Sequence, residues 1–349
     1  MRVLAWPIDT GLNPYTSLLY ANLGPDVQVD AWPGNPLKKY SIWHIHWPDA
    51  LLNIRNPAHA AFKASGMLAA TDFMRLRGTK LIWTMHNFHS HEALHPAMER
   101  WLWRHFIPRV DGAISLSQAG LSLALQKFPR LQEIPVTVIR HGHYRGDYPP
   151  SIAGARKTLD IPEGARVAMF FGAVRAYKNV ADLVRVFRNV KSPNAILYIV
   201  GRPNSESLAR EIEAEAAKDE RVRLKFVFVE PHEASTYLAA ADLVVLPYRE
   251  VLNSGSALLA LSCSRPVLVP DLGAMGELKL HFGEDWVRTF EGSISGDTLE
   301  KGLAWSAEAR PAVCPMPAEY DWASIGDATV KFYERVAGGT ETRVQAGAF

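Results

Sequence analysis

The sequence has little of several features that define specialised protein classes. Its 349 residues include only two cysteines, Cys263 and Cys314, so no disulfide framework is available and both are expected to be reduced thiols. No apolar run reaches the roughly 18 residues of a membrane-spanning helix. Lys and Arg (38) barely exceed Asp and Glu (36), so the net charge gives no case for a nucleic-acid partner. The first residues, MRVLAWPIDTG, predict a strand rather than a signal peptide.

Two nucleotide-binding fingerprints are also missing. No G-x-G-x-x-G follows a strand-like segment, which disfavours a dinucleotide-binding dehydrogenase, and no G-x-x-x-x-G-K-[ST] phosphate loop is present.

The chain contains two successive runs of alternating apolar strands and amphipathic helices. This alternation predicts α/β domains with doubly wound parallel sheets, and the length favours two of them. A Pro- and Gly-rich stretch at 144–154 marks the boundary between the runs. The predicted division is an N-terminal domain over 1–148, a C-terminal domain over 149–320, a terminal helix over 321–337 that packs back toward the N-terminal domain, and a flexible tail over 338–349.

The segment 237–278 predicts a strand, helix and strand, and its loop is the most informative part of the chain. Ser254, Gly255 and Ser256 come where the helix begins, so their backbone N–H groups and hydroxyls suit an anion such as phosphate. The alternative is an ordinary helix cap with a flexible approach.

A second loop of the same half indicates the same ligand. The apolar strand 166–171 is followed by Gly172, Arg175 and Lys178 before the next helix. Glycine permits close approach of a diphosphate and the two cations neutralise its charge. The alternative is a surface loop with two solvated bases.

The N-terminal half places titratable groups after its strands. Strand 80–85 leads into HNFHSHE, which contains His86, His89 and Glu92, while Asp9 and Asn13 follow the first strand. One interpretation of this segment is a metal site, but it has no helical His-x-x-x-His pair to support one. A second interpretation is that these side chains perform acid/base chemistry or bind sugar hydroxyls. The alternative is that they form a plain polar loop.

The helix predicted over 97–110 combines aromatic and basic residues. Trp101, Trp103 and Arg104 predict a face that lies on an anionic bilayer, with arginine at headgroup level. A core-packing helix with a solvated basic side is the alternative.

The order of these parts resembles that of the GT-B glycosyltransferases. The resemblance covers nearly the whole chain and is carried by FFGAVRAYKNV (170–180), ILYIVGRP (196–203), YLAAADLVVLPY (237–248), NSGSALLALSCSRPVLVPD (253–271) and Trp322, together with WHIHWP (43–48), WTMHN (83–87) and HGHY (141–144). It implies two Rossmann-like domains facing across a cleft, the C-terminal one holding a nucleotide-sugar donor and the N-terminal one the acceptor.

The resemblance also implies roles for particular residues. The expected donor-binding residues are Gly172, Arg175, Lys178, Arg202, Glu230, Tyr248, Ser254, Gly255, Ser256 and Glu277. The expected catalytic bases, in falling order, are Glu92, His86, His89 and Asp9. The expected acceptor or membrane face comprises Asn13, Trp101, Trp103 and Arg104. Neither a metal nor a cofactor is expected.

One departure from the resemblance bears on the mechanism. Many retaining members carry two glutamates seven residues apart around the 253–262 helix, but here Leu259 occupies one position and Glu250 lies one place from the other. The chain instead is similar to inverting transferases that build exopolysaccharide on a lipid carrier, a group that includes xanthan-type β-mannosyltransferases using GDP-mannose. This implies mannose transfer from GDP-mannose to a lipid-linked oligosaccharide by a peripheral protein at the cytoplasmic face of the bacterial inner membrane. A nucleotide-sugar epimerase or hydrolase and a non-catalytic sugar-nucleotide-binding protein are the rival hypotheses.

Overall fold

The computed structural model describes residues 1–9, 11, 14–35, 37–88, 94–148 and 154–339. The chain forms two compact units: unit 1 comprises Met1–Gly142 and Ala318–Phe349, and unit 2 comprises His143–Pro317.

Unit 1 is built on a sheet of six parallel strands in the order β2-β1-β3-β4-β5-β6. The central strands are mostly apolar and almost entirely buried because both faces of the sheet are covered. Its elements along the first part of the chain are β1 (Arg2–Trp6), α1 (Tyr15–Ala21), β2 (Gln28–Ala31), β3 (Ile42–Ile45), α2 (Pro57–Leu76), β4 (Lys80–Met85), α3 (Pro96–Phe106), β5 (Gly112–Ser115), α4 (Gln118–Lys127) and β6 (Val136–Val138).

Unit 2 repeats this plan with six parallel strands in the order β12-β11-β10-β7-β8-β9. Its elements are α5 (Ala155–Thr158), β7 (Arg166–Phe171), α6 (Val180–Phe187), β8 (Ala195–Val200), α7 (Glu206–Ala216), β9 (Val222–Lys225), α8 (Pro231–Ala240), β10 (Leu243–Val245), α9 (Gly255–Ser262), β11 (Val267–Pro270), α10 (Ala274–Phe282), β12 (Val287–Phe290) and α11 (Gly296–Ser306).

The last helix, α12 (Trp322–Gly338), belongs to unit 1. Ile325, Phe332, Tyr333 and Val336 enter the same buried cluster as the central strands of the unit 1 sheet. Gly326 lets the helix lie very close to α1, since a Cβ at this position would be 1.8 Å from the carbonyl oxygen of Asn22. The helix therefore completes the unit 1 core.

The boundary between the units falls between Gly142 and His143, earlier than the position 148/149 expected from composition. Tyr144 donates its backbone N–H to Ser262 Oγ (2.9 Å) and Arg145 donates to the carbonyl of Cys314 (2.7 Å), which joins these residues to unit 2. At the other end, Trp322 packs against Gly142, where a Cβ would lie 2.2 Å from the indole.

Each sheet has one topological switch point, where the order of strands reverses. In unit 1 it lies between β1 and β3, and in unit 2 between β7 and β10. Open α/β sheets bind ligands beyond the carboxyl ends of the strands at such points. These two places are therefore the first to inspect for a site.

No helix in the described part of the chain is long and apolar enough to cross a bilayer.

Candidate active site

The switch point of unit 2 brings the loop after β7 against the start of α9. Gly172, which follows β7, has φ +120°, and a Cβ there would lie 2.6 Å from Ser256 Oγ and 3.9 Å from Lys178 Nζ. Gly201, after β8, is equally confined, because its Cβ would be 1.9 Å from the Gly172 carbonyl oxygen. The two glycines let the loops after β7 and β8 approach each other and the start of α9 closely.

Two cations converge at this corner without a carboxylate to balance them. Among the described residues, no ion pair joins Lys178 or Arg175 to a carboxylate, and Arg175 donates to the carbonyl oxygen of Val174 (3.0 Å). Desolvation lowers the pKa of Lys178, with Arg175 adding to the effect and Tyr177 opposing it. The Lys178 ammonium lies 5.2 Å from the centre of the Tyr248 ring. A bound anion would relieve the repulsion between the two cations.

The start of α9 carries groups that favour an anion. Ser254 caps the helix by accepting a hydrogen bond from the backbone N–H of Ala257 (3.2 Å). The remaining first-turn N–H groups and the helix dipole favour negative charge. Ser256 adds a hydroxyl beside Gly172.

Polar atoms at this corner are buried without partners, which is unusual in a finished core. Within the part of the chain described by the structure, neither the Tyr248 hydroxyl nor Asn253 Nδ2 has a hydrogen-bond partner of good geometry. Burial raises the pKa of Tyr248 to about 12, although the nearby Ser254 and Ser256 hydroxyls pull it down. Such groups are ready to bind a polar ligand.

Other expected donor residues border this corner less directly. Arg202 is exposed, but its carbonyl accepts from the N–H of Val174 (3.0 Å), which places it beside the loop that carries Arg175. Glu277 lies in the first turn of α10, whose entry glycine, Gly273, packs against the loop leading to α9. Glu230 is exposed at the N-cap position of α8.

In unit 1, His86 follows β4 and is held in a buried network. Its Nε2 lies 3.1 Å from Nδ1 of His46, whose Nε2 lies 2.7 Å from the Tyr20 hydroxyl. The His86 ring stacks on Trp47 at 4.1 Å and meets the edge of Tyr15. Burial holds the pKa values of His86 and His46 well below 6.5, so both rings are neutral at pH 7.

A second network of buried hydrogen bonds is centred on His44 of β3. His44 contacts the Tyr333 hydroxyl through Nδ1 (2.6 Å) and Thr84 Oγ1 through Nε2 (2.7 Å). Burial lowers the pKa of His44 to about 3 and that of His141 to about 4. These bonds link β3, β4 and α12, so they stabilise the floor of the His86 site.

The remaining expected residues of unit 1 have mixed outcomes. Asp9 is exposed and its Oδ1 accepts from the N–H of Gly11 (2.8 Å), a turn-forming bond. Asn13, His89 and Glu92 lie outside the described residues.

The expected membrane face on α3 needs one correction. Trp103 is buried against Trp83, Phe106 and Phe128, so its assignment to an accessible face was wrong. The physical reason is helical geometry: Trp103 shares the inward side of α3 with Leu102 and Phe106. Arg104 is exposed, and Trp101 is half-buried beside His105.

Sequence reasoning missed Tyr20, His46 and Asp49. His46 directly follows β3 at the switch point, and this position after a strand could have indicated a site residue. Asp49 is buried two residues after Trp47, and burial together with the nearby Glu99 raises its pKa to about 7. No local pattern reveals that burial.

Within the part of the chain that the structure describes, no group of three or more His, Cys, Asp or Glu residues is arranged to hold a metal ion. The buried histidines instead bond to tyrosine, threonine and one another.

Two six-stranded parallel sheets, each flanked by helices, match the GT-B architecture. Two solved structures share this fold: HepE from Anabaena in complex with UDP-glucose (TM-score 0.65, 14% identity, 97% of this chain and 98% of that chain) and a glycosyltransferase from Rickettsia africae (TM-score 0.62, 11% identity, 97% and 99%).

The family follows from sequence similarity. The family described as "Glycosyl transferases group 1" matches residues 165–287, which lie in unit 2. The GDP-mannose:glycolipid 4-beta-D-mannosyltransferase of Xanthomonas campestris pv. campestris is 30% identical over 334 residues, covering 95% of this chain and 90% of that protein. The chain belongs to the glycosyltransferases of group 1 with GT-B architecture, and it is an enzyme.

Proposed function

We propose that this glycosyltransferase moves mannose from GDP-mannose to a lipid-linked oligosaccharide, with inversion at the sugar carbon. The observation that carries the diphosphate part is Lys178, which lies beside Gly172 and Ser256 at the start of α9 and close enough to Arg175 for the two positive charges to interact. The choice of GDP-mannose and a glycolipid acceptor is supported by the Xanthomonas relative, whose name specifies both and which spans nearly the whole chain.

In the proposed reaction, unit 2 binds the donor. The bond between the sugar carbon and the diphosphate oxygen breaks, and the diphosphate keeps the electron pair. Lys178, Arg175 and the α9 N–H groups stabilise the negative charge that develops there. Because these groups supply the needed positive charge, we propose that transfer requires neither a metal nor another cofactor, so chelation by EDTA should leave turnover unchanged.

The acceptor hydroxyl must lose a proton as its oxygen bonds to the sugar carbon. We assign acceptor binding to unit 1, with Glu92, His86, His89 and Asp9 as candidates for the base. Among those that the structure describes, the contacts favour His86 over Asp9. His86 is neutral, held in place by His46 and stacked on Trp47, whereas the Asp9 carboxylate closes a local turn.

Nucleotide binding is the first test. The Tm of the purified protein is measured against GDP, UDP and ADP. GDP alone should raise it, since a ligand at about 100 times its Kd stabilises by about 2.7 kcal/mol. Lys178→Met should abolish the shift, while Lys157→Met, which removes an exposed lysine of the same unit, should retain it. An unchanged shift for Lys178→Met would contradict the diphosphate assignment.

Turnover tests the acceptor side separately. With GDP-mannose and a lipid-linked oligosaccharide, His86→Gln should lower kcat by about 10²- to 10⁴-fold and keep the GDP response. The anomeric configuration of the product, read by NMR, tests inversion. Donor consumption without acceptor would instead indicate a hydrolase or epimerase.

A further inference from the structure

We propose that the outer face of α2 is the surface by which this enzyme docks on an anionic lipid bilayer. The inference deepens the proposed function, because a lipid-linked acceptor must be met at a membrane. It assigns the contact to α2 rather than to α3, where the sequence had placed it.

The face is a continuous apolar stripe. Phe62, Gly66, Ala69, Phe73 and Leu76 recur at intervals of three and four residues, which puts them within an arc of about 80° along about 21 Å of helix. The stripe is exposed: Phe62 at 74%, Phe73 at 51% and Leu76 at 88%. Leu37, 87% exposed, lies next to its end, because Arg77 reaches the Leu37 carbonyl oxygen.

The inward face of α2 is fully used by the fold. Ala60, Ala64, Met67, Leu68, Thr71 and Met74 are buried against unit 1. The exposed phenylalanines and leucine are therefore not core residues that happen to reach the surface. They form a second apolar face on a helix whose packing is already complete, and such faces mark sites of interaction.

The surrounding charge selects the partner. Residues 55–80 contain five Lys or Arg and a single acid, Asp72, and two of the five, Arg75 and Lys80, pair with Asp111. Arg109 engages Asp72. Lys63 flanks the stripe, and Lys38 and Lys39 follow Leu37. Apolar side chains with cations beside them suit an anionic bilayer. The phenylalanine and leucine side chains enter the boundary between headgroups and acyl chains, and the cations contact lipid phosphates.

The exposed side of α3 extends the positive field. Arg100 and Arg104 lie one helical turn apart on its accessible side, and α3 packs against α2. Trp103 is turned inward. The arginines of α3 thus support docking through charge, while α2 provides the apolar contact.

Vesicle flotation tests the proposal with the full-length protein. Wild type should float with vesicles of phosphatidylcholine containing 30% phosphatidylglycerol and much less with phosphatidylcholine alone. Phe62→Ser with Phe73→Ser and Leu76→Ser should weaken binding by about tenfold or more. Lys63→Gln should weaken it about fivefold, which corresponds to ~1 kcal/mol for one cation near the surface.

The matched control is Leu280→Ser, which removes an 83% exposed leucine from unit 2 and should leave flotation unchanged. Circular dichroism and the GDP-induced Tm shift show that each variant is folded, and neither depends on lipid. Failure of the donor assignment and failure of this proposal are thereby distinguishable.

Two results would overturn the proposal. One is unchanged flotation of the triple serine variant. The other is a dimer in sedimentation velocity without lipid that the same variant converts to monomer, since the stripe would then bind a second copy of the chain.

Discussion

Acidification should destabilise unit 1, because its four buried histidines are neutral when folded. His44, His46, His86 and His141 all have lowered pKa values, whereas unfolded histidine titrates near 6.5. Between pH 7 and 5 the unfolded chain takes up protons that the folded unit does not. The free energy of unfolding therefore falls as pH falls, and this stability is fully present only above about pH 7.

The size of the effect follows from linkage. His44 and His141, with pKa values lowered to about 3 and about 4, each lose roughly 2 kcal/mol of stabilisation between pH 7 and 5, and His46 and His86 act in the same direction. Asp49 acts in the opposite direction: its pKa, raised to about 7, makes the folded state the stronger proton binder and returns about 2 kcal/mol. The expected net loss is therefore at least about 2 kcal/mol, a large fraction of the stability of a typical domain.

Urea denaturation followed by tryptophan fluorescence measures this loss, since eight of the ten tryptophans belong to unit 1. His44→Gln should reduce the loss between pH 7 and 5 by about 1.9 kcal/mol. His59→Gln, which removes an exposed histidine of α2, should keep the wild-type dependence. A total change below about 1 kcal/mol between pH 7 and 5 would refute the reasoning.

Three glycine substitutions give further predictions. Gly172→Ala should abolish the GDP-induced Tm shift, because its Cβ would clash with Ser256 Oγ at 2.6 Å and its φ of +120° suits glycine; an unchanged shift would contradict this. Gly326→Ala should lower the free energy of unfolding, measured by urea denaturation, by at least about 2 kcal/mol, since its Cβ would meet the Asn22 carbonyl at 1.8 Å. Gly66→Ala, with nothing within 4 Å, should instead raise the unfolding free energy by about 0.5–1 kcal/mol, and a decrease would show that the exposed α2 backbone is strained.

The two loops that are expected to bind the donor could be located from sequence because their signals are local. An apolar strand, a glycine and two cations follow one another within residues 166–178, and the structure places Lys178 beside Ser256. Burial on both faces forces the strand to be uniformly apolar, so its end is easy to find.

Edge strands and long-range contacts could not be predicted in the same way. β2 (QVDA) and β12 (VRTF) lie at the edges of their sheets, where fewer neighbours cover them and no apolar run is required. The His46–His86 contact joins residues 40 positions apart. The burial of Trp103 could not be predicted either, because the sequence of a helix that mixes aromatic and basic residues does not show which side faces the core.

The return of α12 to unit 1 affects how the chain is made. A ribosome releases the strands of unit 1 first, but Ile325, Phe332, Tyr333 and Val336 leave the exit tunnel only after all of unit 2. Unit 2 therefore has its complete core earlier, although it is encoded later. Loss of the last 30 residues, by a premature stop codon or by proteolysis, would leave unit 2 whole and deprive unit 1 of one wall of its core.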